Sequence, residues 1–261
     1  MTVSMSQNLS AGAANNTHVT INMNEMGSIV FWKQGGTSVP GSWDDMMPAA
    51  NEESWNGLTG DTAGVGPIQA AGSNPDLFRY SVNVMDGVDL YASYSPSDGT
   101  AAIKSSQSFG AQYTGIEGLT VGYAAGDNNE QVLVTNGLAT ASAAGADIEN
   151  TTMFIKYAFD SFTIGMQDNE SDSTTANADT SYRGYGISYA VSEDLSVSYG
   201  VGTVDFELAN SEDQETTAVG ISYTSGGITV SGSMHDGENL GGSAATTADR
   251  TDYELNIAFA F

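Results

Sequence analysis

The chain has 261 residues, no cysteine, and 6 Lys and Arg against 32 Asp and Glu, a formal net charge of -26. Disulfide frameworks and thiolate metal sites are excluded, and so is nucleic-acid binding, which needs clustered Lys and Arg against the phosphate backbone. No run of 18 or more apolar residues occurs, which excludes an ordinary transmembrane helix, whereas a mean hydropathy of -0.19 is compatible with strands that face lipid with alternate residues only.

The predicted elements are strands from the first residues onward. The segment 2–8 opens the chain, and its sequence has neither the basic nor the apolar stretch of a signal peptide. From there the dominant signal has a period of two, which separates two faces of a strand and not two faces of a helix. Phe78, Tyr80, Val82 and Val84 alternate with Arg79, Ser81 and Asn83; Val88, Leu90, Ala92 and Tyr94 follow with Asp89, Tyr91 and Ser93 between them. The pattern recurs at Phe109–Tyr113, Leu119–Tyr123, Met153–Phe159, Tyr185–Tyr189, Leu195–Val201, Val219–Tyr223 and Ile228–Val230. It ends on Tyr253, Leu255, Ile257, Phe259 and Phe261, interleaved with Asp252, Glu254, Asn256, Ala258 and Ala260. One face is apolar with Tyr near its ends; the other is Ser, Thr, Gly, Gln and a few charges.

The connections alternate in length. Tight turns are expected at Asn24–Gly27, Met85–Gly87, Ile116–Gly118, Asp160–Ser161, Ser192–Asp194 and Ser225–Gly227. Longer polar loops are expected at about 9–16, 35–75, 97–103, 126–149, 168–179, 207–214 and 236–250. Short turns on one rim and long loops on the other describe a transmembrane antiparallel β-barrel. About fourteen strands of roughly 6–12 residues are visible, against the ~9–11 that a tilted spanning strand needs. The whole chain, 1–261, reads as a single β-barrel domain.

The segment 35–75 has no strand pattern, and long structureless loops are usually functional or disordered. Trp43, Met46, Met47, Trp55, Leu58, Val65 and Ile68 give this one side chains to pack. It also presents a carboxylate cluster, Asp44, Asp45, Glu52, Glu53 and Asp61. A lid packed outward over the rim is the alternative placement. Strand parity turns Arg79 and Lys156 to the polar face, and Lys104 shares that parity near a loop. Arg79 either meets the loop's acids or hydrogen-bonds Tyr91 or Ser93 across its hairpin. Arg183 has the opposite parity, where it could snorkel or meet lipopolysaccharide phosphate.

Phe261, at the end of an alternating aromatic strand, resembles the C-terminal signature of outer-membrane proteins, which in that family is read by the outer-membrane assembly machinery. Val39-Pro40-Gly41-Ser42-Trp43-Asp44-Asp45-Met46-Met47-Pro48, continuing to Glu52-Glu53-Ser54-Trp55, resembles the constriction loop of Gram-negative general diffusion porins of the alphaproteobacterial type. The resemblance implies a homotrimeric, sixteen-stranded outer-membrane barrel in contact with lipid and lipopolysaccharide. In it the third extracellular loop folds into the lumen and sets carboxylates against basic wall residues. On that resemblance Asp44, Asp45, Glu52, Glu53 and Asp61 are candidate constriction acids, with Arg79, Lys104 and Lys156 the wall bases. Counting places the long loop second instead of third, so the expectation is that an N-terminal hairpin precedes this chain. The function expected is passive diffusion of small hydrophilic solutes and ions, with cations preferred because acids dominate.

No enzyme is expected: His18 and His235 are the only histidines, on strands distant in sequence, which leaves little to build a triad or zinc site from. No cofactor is expected beyond a weak Ca²⁺ signal in the acidic runs Gly126–Glu130 and Asp168–Asp172. The competing reading is an acidic soluble or surface-anchored β protein, resembling a Ca²⁺-dependent adhesin.

Overall fold

The computed structural model describes residues 1–10, 13–43, 45–58, 76–97, 105–128, 147–174, 176–245 and 248–260. They form one antiparallel sheet of 14 strands in sequence order. The first seven are β1 (Thr2–Ser10), β2 (Ala13–Asn22), β3 (Ser28–Gln34), β4 (Leu77–Met85), β5 (Val88–Ser95), β6 (Ser106–Tyr113) and β7 (Leu119–Asn128). The rest are β8 (Ile148–Phe159), β9 (Phe162–Ser173), β10 (Thr180–Ala190), β11 (Leu195–Phe206), β12 (Gln214–Ser225), β13 (Ile228–Glu238) and β14 (Arg250–Phe259). Each strand pairs with its sequence neighbours, and β1 and β14 are the two edges of the described sheet.

Six tight turns define one rim, and the long connections define the other. Chain geometry forces glycine at the tightest of these turns. Gly118 has φ +77°, and a β-carbon there would stand 2.2 Å from the Ala158 carbonyl oxygen. On that turn rim Tyr157, Phe159, Phe162 and Tyr189 form a run of stacked rings, with centroids 4.5 to 5.7 Å apart.

The two faces separate as the alternation requires. Along β10, Tyr185, Ile187 and Tyr189 are 48%, 39% and 37% exposed, while Gly184 and Gly186 on the alternate positions are buried. The exposed face is a band of Tyr, Phe, Ile, Leu and Val; the covered face carries Ser, Thr, Asn, Gln and Gly. That is the inverse of a soluble sandwich, whose apolar face is the covered one. It fits a sheet that turns its hydrocarbon side outward to lipid.

Two expectations are corrected. The loop expected at 9–16 is largely ladder: β1 and β2 pair out to Ser10 opposite Ala13, across a register shift between Asn8 and Leu9. The small, polar residues there hide the alternation. The loop expected at 168–179 begins later, because β9 continues to Ser173. Its alternation persists with changed chemistry: Asp168, Glu170 and Asp172 point outward while Gln167, Asn169 and Ser171 are buried inward. A ladder therefore outlasts the apolar band, and toward the loop rim the outer face becomes charged.

The band gives a depth-dependent test. Ile187→Arg places a charge on the lipid face and should cost about 2–4 kcal/mol if it lies near the bilayer midplane. Ser188→Arg, on the inner face of the same strand, should change stability far less. Urea unfolding of the two variants in lipid vesicles measures the difference; equal costs would mean the faces are misassigned.

Candidate functional site

The segment after β3 folds onto the inner face of the sheet. Its two ends are tied beside β3 and β4 by the Lys33 Nζ–Asp76 Oδ1 ion pair at 2.7 Å. The pair is exposed, so it fixes geometry more than it stabilises. The Val39 amide donates to Ser108 Oγ on β6 at 3.0 Å. A 3-10 turn, Pro40–Trp43, then inserts the indole between Tyr91 and Phe154, edge-on to both at 5.4 and 5.3 Å. Val39, Trp43, Ala124 and Phe154 make a small apolar cluster. Gly110 leaves the space: a β-carbon there would stand 2.7 Å from Val39 Cγ1.

From Trp43 the loop crosses the sheet. Gln167 on β9 holds it twice: Nε2 donates to the Trp43 carbonyl at 2.6 Å, and Oε1 accepts from the Met46 amide at 2.9 Å. Pro48 sits on Gly165 and Gly186, paired across β9 and β10, where β-carbons would stand 2.6 Å from its Cδ and 2.9 Å from its carbonyl oxygen. The Ala50 amide donates to Ser198 Oγ on β11 at 2.8 Å. Asn51 bridges two serines of β13, donating to Ser233 Oγ at 3.0 Å and accepting from Ser231 Oγ at 2.7 Å. Ser54 Oγ and Thr216 Oγ1 of β12 lie 2.9 Å apart. The path ends at Leu58, fully buried against Leu240. An outward lid is thereby ruled out for the described residues 35–43 and 45–58. Each such hydrogen bond contributes roughly 0.5–1.5 kcal/mol net, so the attachment is distributed along the loop.

The candidate site residues fall as follows. Asp45 is exposed on the loop, and Glu52 and Glu53 are half-buried on its far arm. The Glu52 carboxylate accepts from Asn56 Nδ2. Glu52, Glu53, Ser54, Tyr182 and Gly200 line a small pocket between loop and wall. Arg79 lies on the inner face of β4, its Cζ 5.4 Å from the Tyr91 ring centroid. The alternative in which Arg79 donates to Tyr91 or Ser93 is not found, since Tyr91 Oη donates to Gln112 Oε1 at 3.2 Å and Ser93 Oγ pairs with Ser108 Oγ at 2.5 Å. Lys156 Nζ on β8 lies 6.0 Å from the Phe154 ring centroid. The two bases thus flank the Trp43 cluster, on the side where the loop enters, and Glu52 and Glu53 lie on the arm that leaves it. Asp44, Asp61, Lys104 and Phe261 lie outside the described residues.

The other expectations resolve more simply. Arg183 is exposed on the outer face and bonds Asp168 through Nη2 at 2.7 Å. The Asp168–Asp172 run is no calcium loop, because strand alternation sends its carboxylates outward and its Asn169 and Ser171 inward. In the other run, Asp127 and Asn128 belong to β7, and residues 129 and 130 lie outside the described residues. Among the described residues no three His, Asp or Glu side chains are placed to hold a metal ion. His18 and His235 stand on β2 and β13. His235 is fully buried, with Nε2 2.7 Å from Ser233 Oγ. Sequence reasoning missed Gln167 as the loop's main anchor, and it missed Asp252 and Glu254, two inner-face acids beside Gly57. The parity of the last strand was a signal for the second omission.

A family model described as Gram-negative porin matches residues 8–230. Solved structures share the fold at low identity. The anion-selective porin from Comamonas acidovorans has 15% identity and a TM-score of 0.68, over 96% of this chain and 80% of that one. The outer-membrane protein OmpT of Vibrio cholerae has 14% identity and a TM-score of 0.66, over 95% and 81%. A mutant porin of Rh. blastica has 15% identity and a TM-score of 0.62, over 99% and 88%. No curated protein matches.

The anchoring makes a local prediction. Gln167→Ala removes both hydrogen bonds to the loop, and the Met46 amide should then exchange with deuterium roughly tenfold faster or more. Ladder amides between β13 and β14 should be unaffected. Unchanged exchange at Met46 would show that the loop is held elsewhere.

Proposed function

We propose that this chain, which belongs to the Gram-negative porin family, sorts by charge the small hydrophilic solutes and ions that diffuse through it, passing cations ahead of anions. Passive diffusion across the bacterial outer membrane, without enzymatic chemistry, is the family's function. The preference for cations is the further step. The observation that carries it is the loop bound to the inner wall, with Asp45, Glu52 and Glu53 on it and with Arg79 and Lys156 as basic residues of the described wall beside it.

The physical argument concerns where the charges stand. Arg79 and Lys156 lie beside ring faces, without a carboxylate partner among the described residues. The acids lie farther along the loop. A narrowed lumen with bases on one side and acids on the other has a field across it, which orders water and discriminates among dipolar solutes. With 32 acids to 6 bases in the chain, the average potential is negative, and that raises the local concentration of cations. The anion-selective porin from Comamonas acidovorans shares this fold at 15% identity. Selectivity is a property of the side chains that line the lumen and not of the barrel, so that likeness does not set the sign here.

Asp44 and Asp61 on the loop, and Lys104 on the wall, are proposed to join these arrays. Phe261 is proposed as the mark read by the assembly machinery. A homotrimer embedded in lipid and lipopolysaccharide is the proposed working form. The adhesin reading is not favoured, because its soluble sheet would leave the band of Tyr, Ile and Leu side chains facing water.

Planar-bilayer recordings test the proposal. In dilute KCl the reversal potential under a salt gradient should favour potassium, and 1 M salt should weaken the preference, since the screening length falls from about 10 Å at 0.1 M to about 3 Å. Asp45→Asn, Glu52→Gln and Glu53→Gln together should lower the preference with the channel still formed. A reversal potential favouring chloride in the parent protein would overturn the reading.

A further inference from the structure

The loop's far arm carries Glu52 and Glu53, and two further acids face it from the wall. Asp252 and Glu254 of β14 stand opposite His235 and Ser233 of β13, and so share their inner face. Both are half-buried. At Gly57, which has φ +71°, a β-carbon would stand 2.6 Å from Asp252 Oδ2 and 3.1 Å from Glu254 Oε1. Two carboxylate oxygens therefore converge on one stretch of loop backbone, and only a residue without a side chain lets the loop pass this close to them.

No ion pair neutralises these two carboxylates among the described residues. The described ion pairs are Lys33 with Asp76 and Arg183 with Asp168. Arg79 and Lys156 are beside Tyr91 and Phe154, on β4 and β8. Arg250 lies two residues along β14, exposed at the loop rim, and forms no ion pair there. The loop acids are differently placed, for Glu52 already accepts a hydrogen bond from Asn56.

A second observation concerns the neighbouring strand. His235, directly opposite Asp252, is fully buried, and its Nδ1 has no hydrogen-bond partner. Its Nε2 is engaged by Ser233 Oγ at 2.7 Å, the same hydroxyl that accepts from Asn51 of the loop. That Nδ1 atom is a polar group left without a partner in the same stretch of wall. Asp252, Glu254 and His235 are not arranged to chelate a metal, so the ligand class that fits is a hydrated, weakly held cation.

We propose that Asp252 and Glu254 are the main charge-selecting residues of the lumen, with a permeating monovalent cation pausing beside them where the loop arm passes at Gly57. The patch presents two carboxylates that form no ion pair among the described residues. Exchange through such a site is fast, because the contacts are made through water and to few groups. The proposal deepens the reading of the chain as a cation-preferring porin and rests on it.

The test compares charge-neutralised variants of the full chain in KCl gradients. Asp252→Asn with Glu254→Gln keeps size and hydrogen-bonding capacity. It should lower the potassium-to-chloride permeability ratio several-fold, by more than the combined Asp45→Asn, Glu52→Gln and Glu53→Gln variant does. Single-channel conductance in 1 M KCl, where surface charge is screened, should stay near the parent value and report that the lumen is intact. If the double variant fails to insert, Glu254→Gln alone carries the test, with a smaller drop expected. A parent that prefers potassium and a double variant with the same ratio would overturn the proposal while leaving the cation preference standing. A parent without cation preference would instead bring down the reading on which the proposal rests.

Discussion

Hydrocarbon offers no partner for a backbone N–H or C=O group, and the rest of this molecule follows from that constraint. A chain that crosses a bilayer without long apolar helices must satisfy its peptide groups between neighbouring strands. The 14 strands do so in strict sequence order, each against the next. Since the ladder consumes the backbone, the side chains are left to divide the two solvents. One set of alternate residues meets lipid and is apolar. The other meets water and the loop, and is free to be small and polar.

That freedom is used to seat the loop. The inner wall supplies hydroxyls and one carboxamide at the positions where the loop backbone needs partners: Ser108, Gln167 and Ser198 each bond a main-chain group of the loop. Loop side chains find their own partners in Ser231, Ser233 and Thr216. A segment of some twenty residues, with one 3-10 turn and a few hydrogen bonds of its own, is thereby held in a fixed position by the polar groups of the wall. Rigid placement matters for a selective passage, because carboxylates on a wandering loop would average their field away.

The sheet was legible from residues because its apolar phase is long and uninterrupted: β8, β10 and β11 could be read from Met153, Tyr185 and Leu195 onward. Strand ends near the loop rim were not, for a physical reason. Beyond the hydrocarbon the outer face needs no apolar side chains, so Asp168, Glu170 and Asp172 take the outward positions of β9 while inward positions nearby turn apolar at Tyr182, Val204 and Phe206. The ladder continues as the chemical contrast reverses, and a reading based on contrast stops one or two turns of the pleat too soon. In the candidate site, the loop's acids and the parity of Arg79 and Lys156 were visible. The pairing of Gln167 with Trp43 and Met46 was not, because it joins positions 124 and 121 residues apart and only the fold makes them neighbours. Asp252 and Glu254 were correctly placed on the polar face, but their nearness to Gly57 depends on the loop's path.

The seat of Pro48 on Gly165 and Gly186 has a consequence for how such a sequence can change over time. At those two positions the wall is one peptide layer thick, with Pro48 on one side and the side-chain band of Ile164, Tyr185 and Ile187 on the other. Even alanine would bring a methyl group to 2.6 Å from the Pro48 ring at position 165, or to 2.9 Å from its carbonyl oxygen at position 186. Drift at either glycine is therefore coupled to the loop, and a lineage that lost one would need a compensating shift near Pro48. Lipid-facing positions of the same strands carry no such coupling, and their apolar residues can exchange for one another freely. Selection on this wall thus acts unevenly from one residue to the next, with mutable and immutable positions alternating at the period of the strand itself.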